Sequence, residues 1–172
     1  MNLLAESFGV IALVVNFIAY RQPSANSYRL ISAIALGCLS IHFFMIEAMA
    51  GSIVTGIAFF RNLIAIRWQG PWVLWSFVAI NIAFLIYELL VPQVGSAVYW
   101  ALALAYSSSL IFTIGSIKLN EPDLIRRWFL LAELLGLMYS VLVGSVSGTV
   151  FNIVNLTSIL LKLLQDKWAQ RL

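Results

Sequence analysis

The sequence predicts an all-α integral membrane protein: seven transmembrane helices arranged as two parallel three-helix bundles joined by a linker helix (3+1+3), with the N-terminus outside and the C-terminus inside. Three observations carry that prediction. The first is solvent: of 172 residues, 62% are hydrophobic and 10% charged, against roughly half and a quarter in a soluble domain. A chain of this size leaves about a third of its unfolded surface exposed, so that much apolar surface needs lipid around it. The second is the cutting of the chain into seven apolar runs, with Pro23, Pro71, Pro92 and Pro122 all falling between them. Proline inside a helix deletes a backbone hydrogen bond and is best placed at a boundary. The third is charge: all ten Lys and Arg fall on one side of the resulting serpentine.

Each run approaches the roughly 17–25 residues that cross a bilayer as a helix. Leu3 to Tyr20 opens the chain; it lacks the positive leader of a cleavable signal and carries Glu6, so it is expected to stay as a span, with the mature chain beginning at Met1. Leu30 to Ile46 follows Arg21 and Arg29 and holds the lone Cys38 and lone His42. Gly51 to Ile66 ends on Arg61 and Arg67. Trp72 to Leu90 begins after Pro71 and is expected to be the linker. Val94 to Ile117 carries the run Tyr106, Ser107, Ser108, Ser109 and Thr113. Trp128 to Val143 follows Lys118, Arg126 and Arg127, and Ser145 to Leu164 leads into the basic, amphipathic tail KLLQDKWAQRL. Such a tail suits an anionic inner leaflet. The small-residue pairs Ala33 with Gly37, Ser52 with Gly56 and Gly144 with Gly148 predict close helix approach.

Cytoplasmic flanks of membrane helices collect Lys and Arg. The first, third and fifth connections and the tail hold every basic residue, while the N-terminus and the other connections hold Glu6, Glu47 and Glu88. Trp68, Trp72, Trp75, Trp128 and Trp168 sit near the inner boundary, where indoles prefer to lie, and Trp100 belongs to the outer half. Merging the last two runs through Gly144 would put three tail cations, Lys162, Lys167 and Arg171, on the wrong face.

Two three-helix units in the same orientation need a helix between them to restore the side. A shift of 93 residues lays Gly51–Ile66 on Gly144–Ile159 with five identities, among them Asn62 with Asn155. This divides the chain into a first bundle (1–68), a linker helix (69–93) and a second bundle with its tail (94–172). The segments FGVIALVVNFIAY, IHFFMIEAMAGSIVTGIAFFRNLI and VGSVSGTVFNIVNLTSILLK resemble the YgjV family of bacterial inner-membrane proteins over most of the chain. That family is in turn similar to the SWEET, PnuC and PQ-loop group of sugar and vitamin facilitators. The resemblance implies a location in the bacterial inner membrane, a transporter-like fold and an asparagine in the third helix of each bundle, here Asn62 and Asn155. Departures from the group are the absence of proline within helices and an inverted Gln22-Pro23 in place of the PQ signature; Pro92-Gln93 lies between spans.

Amides facing hydrocarbon are costly, so Asn16, Asn62, Asn81, Asn152 and Asn155 are expected to point inward. There they are either interhelical bonds or a polar site for a hydroxylated or amide-bearing solute, with Tyr139 and His42 as further candidate contacts; His42 is otherwise a packing residue. The run Tyr106, Ser107, Ser108, Ser109 and Thr113 either adds to that site or is structural, the favoured reading, since Ser and Thr can return hydrogen bonds to their own helix. Arg61 and Glu133 lie at similar depths, as a gating ion pair, as mutual neutralisation, or with Glu133 as a proton carrier. One His and one Cys exclude a metal cluster of those ligands, and no nucleophile-base constellation or phosphate loop is legible. The expectation is therefore no enzyme and no cofactor, no nucleic-acid partner, and the lipid bilayer and a small polar solute as partners, with homo-oligomerisation left open. Two functions follow: a facilitative or ion-coupled transporter working by alternating access, or a non-transporting scaffold or regulatory protein that reuses the fold.

Overall fold

The computed structural model describes residues 3–19, 21–22, 24–91, 95–119 and 122–169, with the side chains of 25, 122, 123, 125, 126 and 165–169 set apart. The expectations for Pro23, Pro92-Gln93, Arg171 and the side chains of Arg126, Lys167 and Trp168 lie outside the described residues. Within them the structure is helical, in the order α1 (Leu3–Ala19), α2 (Ala25–Met45), α3 (Met49–Arg67), α4 (Pro71–Leu90), α5 (Ser96–Lys118), α6 (Pro122–Leu142) and α7 (Val146–Ala169). Five of these are long and apolar enough to cross a membrane. The exceptions are α1, with 17 residues, and α6, whose Arg126, Arg127 and Glu133 interrupt its apolar run.

Several helices start or end beyond the apolar cuts, because a helix continues into the headgroup layer where charged turns are solvated. Helix α2 begins at Ala25 rather than Leu30, since Ser24 caps it by accepting the Ser27 N–H at 3.0 Å, satisfying a donor with no intrahelical partner. Pro71 opens α4 and Pro122 opens α6, where a missing N–H costs nothing. Apolar side chains cover the outside: Leu3, Trp72 and Leu90 are more than three-quarters exposed, which is the surface lipid would wet.

Packing follows a closed ring. Helix α1 packs on α2, α2 on α3, α3 on α5, α5 on α6, α6 on α7, and α7 returns to α1; α4 lies against α3 and α5. Its buried residues Phe77, Asn81 and Glu88 form a narrow stripe, as befits a helix outside the ring. Asn81 is buried as expected, but it donates to Phe77 O of its own helix at 2.8 Å and faces no interior site. At the α1–α7 seam Gly9 has no room for a side chain, since a Cβ there would stand 2.3 Å from Ser147 Cβ.

The turns entering α3 and α7 share one hydrogen-bond pattern. Ala48 N–H bonds Phe43 O and Glu47 N–H bonds Phe44 O; likewise Ser145 N–H bonds Ser140 O and Gly144 N–H bonds Val141 O. Both are left-handed helix endings, with φ of 61° at Glu47 and 70° at Gly144. Gly144 is therefore a turn residue, and the expected Gly144–Gly148 packing pair reduces to Gly148, whose Cβ would lie 2.9 Å from Ser140 Oγ and 3.1 Å from Phe43 Cζ.

These turns and their flanking helices correspond under a shift of 97 residues, which carries Ala25–Met45 onto Pro122–Leu142 and Met49 onto Val146. That differs by one helical turn from the shift of 93 that aligns identical side chains. Under the shift of 97, Asn62 corresponds to Ile159 and Asn155 to Ala58.

Candidate functional site

A cavity of about 380 Å³ occupies the ring. Its lining comes from α1, α2, α3, α5, α6 and α7, and polar side chains interrupt a mainly apolar wall: Asn16, Arg61, Asn62, Ser108, Ser109, Glu133, Ser140, Asn152 and Asn155 all reach it. Each of these is less than a tenth exposed. Polar groups at this depth persist only where partners or a cavity satisfy them.

Two seams face each other across the cavity. At the α1–α7 seam, Asn16 Nδ2 donates to Asn155 Oδ1 at 2.8 Å, and Asn155 Nδ2 donates to Glu133 Oε1 of α6 at 2.9 Å. At the α3–α5 seam, Arg61 donates through Nε and Nη2 to Asn62 Oδ1 at 3.2 and 3.0 Å and through Nη1 to Thr113 Oγ1 at 3.2 Å. Asn62 Nδ2 points on to Ser32 Oγ at 3.4 Å. Arg61 and Glu133 therefore share one cavity. Asn152 donates to Ser140 Oγ at 3.1 Å and to Gly148 O of its own helix at 2.7 Å.

The two ends of the cavity differ. Toward the end that carries Arg21, Arg29, Lys118 and Arg127, the lining continues to Gln22, Ser24 and Arg29, which are half-buried or exposed. Toward the other end it stops at Phe43, Gly51, Tyr139 and Ser140, all buried. Phe43 and Tyr139 meet edge to face, centroids 5.6 Å apart. Tyr139 Oη accepts the Gly51 N–H at 2.6 Å and donates to Ala48 O at 3.3 Å. Gly51 permits this, because a Cβ there would stand 2.6 Å from the tyrosine ring and hydroxyl.

His42 lies beyond this closure, fully buried and outside the cavity lining. Its Nδ1 stands 2.8 Å from Ala5 O and its Nε2 2.8 Å from Ser145 Oγ. A carbonyl only accepts, so Nδ1 carries the proton. Under the 97-residue shift His42 maps to Tyr139 and Ala48 to Ser145, so the two contacts are counterparts: each joins the end of one half's second helix to the start of the other half's third. Nearby, Ser147 donates to Glu6. The non-basic end is thus shut by two aromatic latches and a serine–carboxylate contact.

Of the candidate residues, Asn16, Asn62, Asn152, Asn155, Tyr139, Arg61 and Glu133 come together around one cavity, while His42 does not reach it. Sequence reasoning favoured a structural role for Ser109 and assigned no site role to Ser32 or to Gly136, where a Cβ would lie 2.7 Å from Asn152 Oδ1. Glycines within apolar helices were the available signal: Gly51 and Gly148 in the first turns of α3 and α7 and Gly136 inside α6 all mark places where a polar or aromatic group needs the space.

A family model described as a bacterial inner membrane protein, Imp-YgjV, matches residues 3–169. No curated protein and no solved structure matches the chain.

Proposed function

The chain belongs to the Imp-YgjV family of bacterial inner membrane proteins, and from that premise we propose that it carries a small polar solute across the inner membrane by alternating access. The observation that carries this reading is the cavity: about 380 Å³, with buried polar side chains set in a mainly apolar wall, ringed by six helices, open toward one end and latched at the other. A scaffold has no need to keep asparagines around an open space, where packing them apolar would cost less. Cavities of this size hold small metabolites.

The finer architecture supports the same reading. Helices α1–α3 and α5–α7 form two bundles related by the 97-residue repeat, with α4 as the linker that returns the chain to its starting side. That is the parallel-repeat arrangement of several transporters, whose sites lie at the repeat interface. The basic end faces the cytoplasm by the positive-inside rule, which puts the N-terminus outside, the C-terminus inside, and the open mouth on the cytoplasmic side. Asn16, Asn62, Asn152 and Asn155 bind the solute. Tyr139 and His42 hold the outer closure, and rocking of the bundles exchanges which end is latched.

Solute exchange in proteoliposomes tests it. Counterflow of a radiolabelled solute should be saturable and should fall at least tenfold in both Asn62→Ala and Asn155→Ala, with the proteins still monodisperse. A panel of sugars, nucleosides, amino acids and organic acids that gives no saturable flux, together with a stable partner complex indifferent to both substitutions, would establish the scaffold reading instead.

A further inference from the structure

Within the transport reading above, we infer that the solute is a small organic monoanion whose carboxylate docks on Arg61 and Ser109 and whose hydroxyl or amino group meets the Asn16–Asn155–Glu133 chain. Arg61 hydrogen-bonds no carboxylate among the described residues. Arg61 is 3% exposed, lines the cavity, and bonds only neutral oxygens among the described residues, those of Asn62 and Thr113. A guanidinium has five N–H donors; three are taken, which leaves one on each terminal nitrogen. A cation buried against neutral groups alone recovers little of its desolvation cost. An anion entering the cavity supplies what is missing, and two terminal N–H groups match the spacing of a carboxylate.

An independent observation points to the same place. Ser109 Oγ is buried and has no hydrogen-bond partner among the described residues, yet it lines the cavity. It lies one turn before Thr113 on α5, on the same helix face, and Thr113 is the residue that holds Arg61 Nη1. A buried hydroxyl without a partner costs about 1–3 kcal/mol, and a bound carboxylate oxygen would satisfy it. Arg29, at the mouth of the same cavity, adds positive potential along the entry path.

Glu133 sets the other half of the specificity. Its Oε1 already accepts from Asn155, so the opposite seam presents acceptors and a carboxyl group. That seam welcomes a hydroxyl or ammonium and repels a second carboxylate. The class is therefore short 2-hydroxy or 2-amino monocarboxylates, with dicarboxylates and uncharged polyols excluded.

The test is thermal unfolding of the detergent-purified full chain with short-chain 2-hydroxy and 2-amino monocarboxylates, each beside its carboxamide, with acetate, chloride and succinate as further probes. A ligand that binds only the folded state raises its Tm. At least one hydroxy or amino monocarboxylate should give a saturable rise that its carboxamide lacks. Arg61→Gln should abolish the rise, and Ser109→Ala, which removes a hydroxyl with no partner to lose, should weaken binding at least threefold without lowering the ligand-free Tm. An equal rise with carboxamides overturns the carboxylate assignment and leaves transport standing if counterflow of a neutral solute persists. An equal rise with acetate or chloride overturns the solute class, and one with succinate overturns the role of Glu133. No rise with any probe overturns the site. Binding as expected with no counterflow of the bound acid overturns transport and keeps the site.

Discussion

Tyr139 shows how one hydroxyl joins two halves of the molecule. It accepts from Gly51 N–H and donates to Ala48 O, across 88 residues of chain, at a depth where no water replaces it. Tyr139→Phe should therefore cost about 1–3 kcal/mol of stability, the range for stranding buried backbone groups, read as a lower Tm in detergent. An unchanged Tm would mean the latch holds no energy. At the same scale the asparagines were legible in the sequence, because an amide in an apolar run has few reasons to be there. Their partners were not. The pairing of Asn155 with Glu133 and of Arg61 with Thr113 depends on which helices become neighbours, and equal depth alone put Arg61 opposite Glu133.

Among elements, the decisive contacts are glycines at crossings. Gly9→Ala drives a methyl to 2.3 Å from Ser147 Cβ, where α1 and α7 cannot separate without breaking the His42–Ser145 and Glu6–Ser147 contacts. Overpacking of this kind costs about 1–3 kcal/mol. Gly56→Ala meets only the Ser40 hydroxyl at 3.3 Å and should change stability by less than about 1 kcal/mol, since the better helix propensity of alanine offsets a small shift. Parallel Tm measurements on the two variants check the contrast, and equal effects would show that the α1–α7 seam is not a tight crossing. Element existence was plain from apolar runs and prolines. Element ends were less so: the start of α6 at Pro122 and the run of α7 to Ala169 extend through charged turns that a hydropathy cut discards.

For the whole molecule, a cavity open at the basic end makes a prediction about sidedness. In a Cys38→Ala background, Ser116→Cys sits in the lining near that end and Ser140→Cys behind the closure, fully buried. A membrane-impermeant maleimide should label position 116 in inverted vesicles and, with no solute supplied to drive exchange, leave position 140 unlabelled in intact cells. Labelling of 116 from the outer side only would reverse the orientation, and ready labelling of 140 from outside would show that the Phe43–Tyr139 closure does not hold.

The sequence by itself determined the solvent, the number of helices and the end to which the basic residues belong. Those properties rest on composition and on interruptions read along one dimension, and lipid imposes them on any chain so composed. Only the tertiary structure decided which turns correspond, the ring of six helices with α4 outside it, and the sorting of polar residues into an open cavity and a sealed latch. Asn155 and His42 look alike in sequence, each a polar residue in an apolar helix. One lines a cavity and the other closes it, because facing depends on which helices the turns at Glu47 and Gly144 bring together, and no local pattern encodes that.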